Sequence, residues 1–417
     1  MLQNLQSILL KSSFKQVGAY TITASLSKAI SFAALPFFVN TLSEGDIGIL
    51  NIFANSIVFL TPVVSMGVLY TISIDYFKLP KEQYATLFST GLMIPVVLSL
   101  ILFPVLYLFR TPLESAFNFQ QPFFWLIPLC LFFNFCFEAF IILMRNQNNV
   151  KLFTIVSLVK IVLEIGLSII FIIGIYRSWY SRAIAILISG MMVAAIFFYY
   201  TKKNNFLVKG VNFKILKNEF YFGVSGLLLQ TAVFFMNTSD KFFVMSWFGK
   251  VEAGYYAIAS TFAAIQYIVC AALLQYLQPV LFKKFAALEK WESIKSLYVK
   301  YALAMLVTFF GVVAFSYLVY NFVLKPNYQA HLNYFYILSI SAFIWSLSNI
   351  FLQYILFNKN KKIIFRLSAI VISISIFVNY ISSKYFDINW LSYGQVVTNV
   401  LVLFIILWFN KKLHYFA

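Results

Sequence analysis

The chain is 417 residues long, 62% hydrophobic and 11% charged, with a mean hydropathy of +0.87, a composition that excludes a soluble globular protein. Its net charge of +18 invites a nucleic-acid partner, but the basic residues follow the segments between apolar runs instead of gathering on one face, and no nucleic acid is expected. Cys130, Cys136 and Cys270 all fall inside apolar runs and read as small buried side chains, not a disulfide framework.

A helix needs about 20 residues to cross about 30 Å of hydrocarbon. Twelve such runs follow one another: 17–40, 47–73, 84–109, 122–143, 152–176, 182–200, 220–247, 254–281, 299–324, 333–357, 363–383 and 390–409. The expected fold is an all-α polytopic membrane protein with about 12 transmembrane helices in two six-helix lobes. The N-terminal lobe covers 1–200, a basic linker 201–219, and the C-terminal lobe 220–417. The opening MLQNLQSILLKSSFKQ has too short an apolar run for a signal peptide and reads as an interfacial lead-in. Of the 31 Lys and Arg residues, twenty lie in segments that an inside N-terminus would leave in the cytoplasm and six in outer loops. That bias predicts cytoplasmic N- and C-termini.

The first span carries Lys28 near its centre, about 17 Å from the inner end at helix rise. Thr21, Ser25, Lys28 and Ser31 share its face. A lysine at that depth costs on the order of 3 kcal/mol, so it is expected to face a wet cavity; snorkelling is the alternative. The second span places Asn51 and Asn55 one turn apart, followed by a kinking Pro62. The third is apolar, with Pro95 and Pro104. On the fourth, Asn134, Glu138 and Arg145 share a face. On the fifth, Lys160 and Glu164 are four residues apart, either a self-neutralising pair or part of a charged lumen. The linker carries five lysines against one glutamate, a composition suited to anionic lipid head groups.

In the seventh span Gln230, Asn237 and Lys241 recur at i, i+7 and i+11. The neighbouring Asp240 points about 100° away from Lys241. Asp240 therefore needs a partner on another helix, and with Glu138 and Glu164 it is a gating or coupling candidate. Phe282 to Leu297 reads as an amphipathic helix on the inner surface anchored by Trp291. The polar stripes of the tenth span (Ser339, Ser346, Asn349, Gln353) and the eleventh (Ser368, Ser375, Asn379, Ser382) suit helix packing. With two histidines, four scattered aspartates and no glycine-rich phosphate loop, no metal site, cofactor or catalytic constellation is expected. The longest outer loop, Arg110 to Gln121, has twelve residues, and no enzyme is expected.

The two lobes also echo one another. Phe37-Phe38-Val39 and Asp46-Ile-Gly48 correspond to Phe242-Phe243-Val244 and Glu252-Ala-Gly254 at an offset near 206 (254 − 48), close to half the chain, as internal duplication would give. Together with PFFVNTLSEGDIGILN at the end of the first span and NTSDKFFVMSWFGKVEAGYY at the end of the seventh, this resembles the polysaccharide-export flippases of the MOP superfamily. The likeness is to O-antigen and capsule repeat-unit flippases of the bacterial inner membrane. It implies alternating-access transport of undecaprenyl-diphosphate-linked oligosaccharides for lipopolysaccharide or capsule biosynthesis. It also implies contact with membrane lipids and other polysaccharide-assembly membrane proteins. Lys28 and Asp240-Lys241 match the family's charged positions. Ser25, Ser31, Asn51, Asn55, Lys160, Gln230 and Asn237 join Lys28 and Lys241 as candidates for the substrate cavity. A multidrug or cation antiporter of the same superfamily and a non-transporting scaffold of a glycan-assembly complex are the alternatives.

Overall fold

The computed structural model describes residues 20, 23, 26–77, 79–208, 210, 212–358 and 360–412, and every regular element among them is α-helical. Apolar runs leave the backbone no water to bond, so each segment must satisfy its N–H and C=O groups internally. Helix α1 covers 26–41. It is followed by α2 (Glu44–Ser65), α3 (Val68–Asp75), α4 (Lys81–Gly91), α5 (Met93–Leu108), α6 (Arg110–Phe117), α7 (Phe123–Asn146), α8 (Val150–Gly174) and α9 (Trp179–Lys203). The remainder are α10 (Phe213–Asn237), α11 (Asp240–Ala263), α12 (Ile265–Ala286), α13 (Trp291–Phe322), α14 (Pro326–Gln329), α15 (Leu332–Phe357), α16 (Lys361–Tyr385) and α17 (Ile388–Lys412).

Among the described residues, ten stretches are long and apolar enough to cross a membrane. One of them, Gln230–Leu274, is 45 residues long and takes in parts of both the seventh and eighth expected spans. Part of the first expected span lies outside the described residues. The chain is a multi-pass α-helical membrane protein.

Several spans are interrupted, the second of them just beyond the proline where a kink is expected. Pro62 lies inside α2, and Met66 (φ 39°) and Gly67 (φ 73°) then take left-handed backbone, which separates α3 from α2. The seventh span breaks at Thr238-Ser239, between α10 and α11. Gly249 (φ 84°, ψ 179°) then interrupts α11, a conformation open to glycine alone at little cost, so the seventh span ends there. Asn149 and Asn360 start α8 and α16 by accepting from the N–H of Leu152 (3.0 Å) and Ile363 (3.2 Å), the usual use of asparagine at a helix start.

The amphipathic surface helix expected over Phe282 to Leu297 does not form. α12 ends at Ala286, Leu288 adopts φ 52°, and α13 begins at Trp291 and runs unbroken for 32 residues. The charges of that stretch are divided between the ends of two long helices. Between them the Glu289 carboxylate accepts from the Lys284 ammonium at 2.6 Å and from the Ser293 hydroxyl at 2.8 Å, which holds the Glu289 carboxyl below its ordinary value.

Packing divides the chain into two units: Met1–Leu42, Phe53–Glu114 and Phe119–Leu227 in the first, Ser43–Ile52, Ser115–Asn118 and Leu228–Ala417 in the second. The first unit's core is rich in aromatic residues, including Tyr84, Phe88, Phe135, Phe140, Phe197 and Phe206. The second has one cluster around Met236, Ile355, Val402 and Ile406 and another around Cys270, Leu281, Tyr301 and Met305.

Within the second unit the start of α2 meets α11 through a reciprocal glycine contact. A Cβ on Gly48 would overlap the carbonyl oxygen of Lys250, and a Cβ on Gly254 would overlap that of Glu44. The two contacts are copies of one another at the offset of 206 already seen in the sequence (254 − 48 and 250 − 44). Such backbone approach requires the smallest residue on each side.

Candidate functional site

In the first unit, α7, α8 and α9 bring charged side chains near one another, apart from Lys28 on α1. Lys160 and Glu164 sit one turn apart on α8 with Nζ and Oε2 3.7 Å apart, each about one-fifth exposed. The Lys160 ammonium also lies 4.6 Å from the centre of the Phe137 ring on α7, where the ring face attracts it. The charges of Lys160 and Arg145 both act on Glu138, and Glu164 acts on Arg182. Three cations thus accompany two carboxylates.

Arg182 is the member that hydropathy misplaces. Standing at the first position of the sixth apolar run, it lies in the first turn of α9, with its guanidinium 3.8 Å from the centre of the Phe38 ring on α1. The nearest signal was its position at the very edge of the sixth apolar run. Lys28 and Ser31 on α1 are both exposed, and the Ser31 hydroxyl donates to the Ser27 carbonyl at 3.1 Å. Thr21 and Ser25, the rest of that stripe, lie outside the described residues. Asn51 and Asn55 occur one turn apart on α2, Asn55 buried.

The second unit holds a polar cavity of about 180 Å³ around the break between α10 and α11, lined by Asn237, Asp240, Lys241, Ser260, Tyr267, Ser341 and Gln395 among others. The break brings Asn237 and Lys241 to the same cavity although the helix does not run straight through them. Gln230, two turns earlier on α10, is exposed and stands apart from this lining. Asp240 is 3% exposed. Its Oδ2 accepts from the Tyr256 hydroxyl at 2.6 Å, across the Gly249 interruption, and its Oδ1 has no hydrogen-bond partner in the protein. The Oδ1 of Asn237 is likewise without one, and both residues line the cavity.

A chain of amides supports the break from behind. Asn379 on α16 donates to the Ser239 hydroxyl at 3.0 Å and accepts from Gln395 on α17 at 3.1 Å. One turn on, Asn399 donates to the Ser341 hydroxyl of α15 at 2.6 Å. Sequence reasoning took Asn379 as a packing residue and missed Tyr256, Tyr267, Ser341 and Gln395. Each has a meaning only through a partner that one helical stripe does not show, across the Gly249 interruption for Tyr256 and across helices for Ser341 and Gln395.

Residues 13–285 match the family model described as polysaccharide biosynthesis protein. The chain belongs to that family. No curated protein matches it. Among solved structures, it resembles a multidrug resistance MATE family transporter of the MOP superfamily in its inward-facing conformation, at TM-score 0.70 and 14% identity over 94% of each chain. The outward-facing conformation of such a transporter aligns at 0.61 and 12% over 95% of each. A Vibrio cholerae MATE transporter aligns at 0.61 and 17% over 97% of each. These likenesses establish a MATE-like fold for this member of the polysaccharide biosynthesis protein family.

Proposed function

We propose that this protein is a flippase that carries undecaprenyl-diphosphate-linked oligosaccharide repeat units across the bacterial inner membrane by alternating access, for O-antigen or capsule synthesis. It is not an enzyme, and its termini and the 201–219 linker lie in the cytoplasm. The observation that carries this reading is the cationic excess on α7, α8 and α9 of the first unit, where Lys160, Arg182 and, at the exposed end of α7, Arg145 outnumber Glu138 and Glu164. Lys28 adds an exposed ammonium on α1. Fixed cations in a low-dielectric, partly wet lumen attract a pyrophosphate strongly. A cation antiporter would instead need an acid free of cations in that lobe. Here both acids lie in the fields of basic residues.

In this account Lys28 and Lys160 receive the pyrophosphate, with Ser31 and Asn55 as further contacts in the first unit, and Asn51 offers an amide in the second. Asn237 and Lys241 meet the sugars in the second unit, and Asp240 governs the exchange between inward- and outward-open states. Lys28 gives the test. Because its side chain is exposed, Lys28→Ala is expected to leave the expression level and thermal midpoint unchanged while cutting polysaccharide export about tenfold or more, the loss of one charge-assisted contact. Lys28→Arg should keep much of the export. Full export by the alanine variant, measured by surface-polysaccharide immunoblot in a deletion strain, removes Lys28 from the substrate path.

A further inference from the structure

The first unit carries a second feature, apart from its charge cluster. Where α5 gives way to α6 and α7 begins, a groove of about 640 Å³ opens between Phe103, Tyr107, Arg110, Gln121, Phe124 and Trp125. That volume lies within the range of ligand sites. Its wall is aromatic, and on α5 Leu100, Tyr107 and Leu108 are each more than half exposed. Tyr107 and Trp125 are side chains that settle at the level of lipid head groups. At the mouth stands one cation. The Arg110 guanidinium lies 5.4 Å from the centre of the Tyr107 ring and 3.9 Å from the Glu114 carboxylate, with both partners more than one-third exposed. A pair so long and so wet holds its arginine weakly and leaves the N–H fork free for another acceptor.

We propose that this groove is a binding site for one anionic phospholipid, with the phosphodiester on Arg110, its head group beside Gln121 and an acyl chain along Phe103, Tyr107 and Phe124. The charge balance selects this occupant. One guanidinium partly offset by Glu114 suits the single negative charge of a phosphodiester. A pyrophosphate would call for more cations than the groove supplies. The site therefore serves a resident lipid and not the transported one.

Photoreactive phosphatidylglycerol, with the reactive group in its acyl chain, tests this on the full-length protein in nanodiscs, with mass spectrometry to map adducts. Phosphatidylglycerol is expected to label 103–125 about tenfold more than a phosphatidylcholine probe of the same chain, as one charge-assisted contact would give. Arg110→Gln should bring the two probes level, and Arg110→Lys should retain much of the preference. Arg110 is exposed enough for both variants to fold, and an unchanged thermal midpoint verifies it. Equal labelling by both probes in the unmodified protein, or an unaltered preference in Arg110→Gln, would reduce the groove to ordinary lipid contact. Displacement of phosphatidylglycerol by an equimolar polyprenyl diphosphate would overturn the assignment by showing that the transported lipid class occupies it.

Discussion

Alanine at Gly254 is expected to destabilise the protein by about 3 kcal/mol, the upper end of what overpacking costs, and to abolish most export. The added methyl has no side chain to push aside. It would meet the backbone carbonyl of Glu44, so α2 or α11 must move bodily. Because the contact is reciprocal, Gly48→Ala should cost nearly as much, through the carbonyl of Lys250. The two substitutions act on one interface. Their combination should therefore cost clearly less than the sum of the single effects. Gly166→Ala is the control, since a Cβ there meets nothing within 4 Å and alanine is the better helix former. Thermal midpoints of detergent-solubilised variants give the comparison. Equal midpoints for Gly254→Ala and Gly166→Ala would mean that the close approach does not exist in the membrane.

The second large effect concerns the buried hydrogen bond between Tyr256 and Asp240. Tyr256→Phe removes the hydroxyl donor from the Asp240 carboxyl, which is 3% exposed. The expected cost is about 2–3 kcal/mol, the value of a hydrogen bond to a charged group that leaves its acceptor buried. Asp240→Asn changes the balance differently, because a neutral amide is far cheaper to leave unbonded than a carboxylate. Added to Tyr256→Phe, it should restore part of the lost stability, so that the double variant is more stable than Tyr256→Phe alone. Asp240→Asn by itself should shift cysteine labelling at outer cavity positions by changing the balance between open states. Strict additivity of the two substitutions, with labelling like that of the unmodified protein, would leave Asp240 without a gating role.

Different parts of this molecule were visible in the sequence to different degrees. The helices were, because in hydrocarbon a long run of Phe, Leu and Ile has no other way to bond its backbone. The offset of 206 between Gly48 and Gly254 was also visible, as a faint echo, but nothing in one dimension said that the two glycines touch. Charges inside apolar runs, such as Lys160, Glu164 and Asp240, stand out on cost alone. Arg182 did not, because it lies where the hydropathy of its run fades, although its guanidinium packs on the Phe38 ring of another helix. The partners of Asp240 and Ser239 were hidden for another reason. Tyr256 is an ordinary residue whose role comes from pairing across the Gly249 interruption of α11, and Asn379 and Gln395 are ordinary residues that pair across helices. The false surface helix over Phe282 to Leu297 came from reading a charged stretch as one element, when left-handed Leu288 divides it between two.

The claim that this chain moves a lipid-linked glycan from the inner to the outer face is tested most directly by locating that glycan. In a strain lacking the protein but retaining the assembly enzymes, repeat units on undecaprenyl diphosphate would be labelled by a membrane-impermeant lectin or glycosidase. Right-side-out and inverted membrane vesicles would be compared. The account predicts accessible repeat units only in inverted vesicles, with restoration of the outer-face signal by the intact gene and not by one carrying Lys28→Ala. Repeat units at the outer face of the deletion strain at the level of the parent, with no competing flippase encoded, would contradict it.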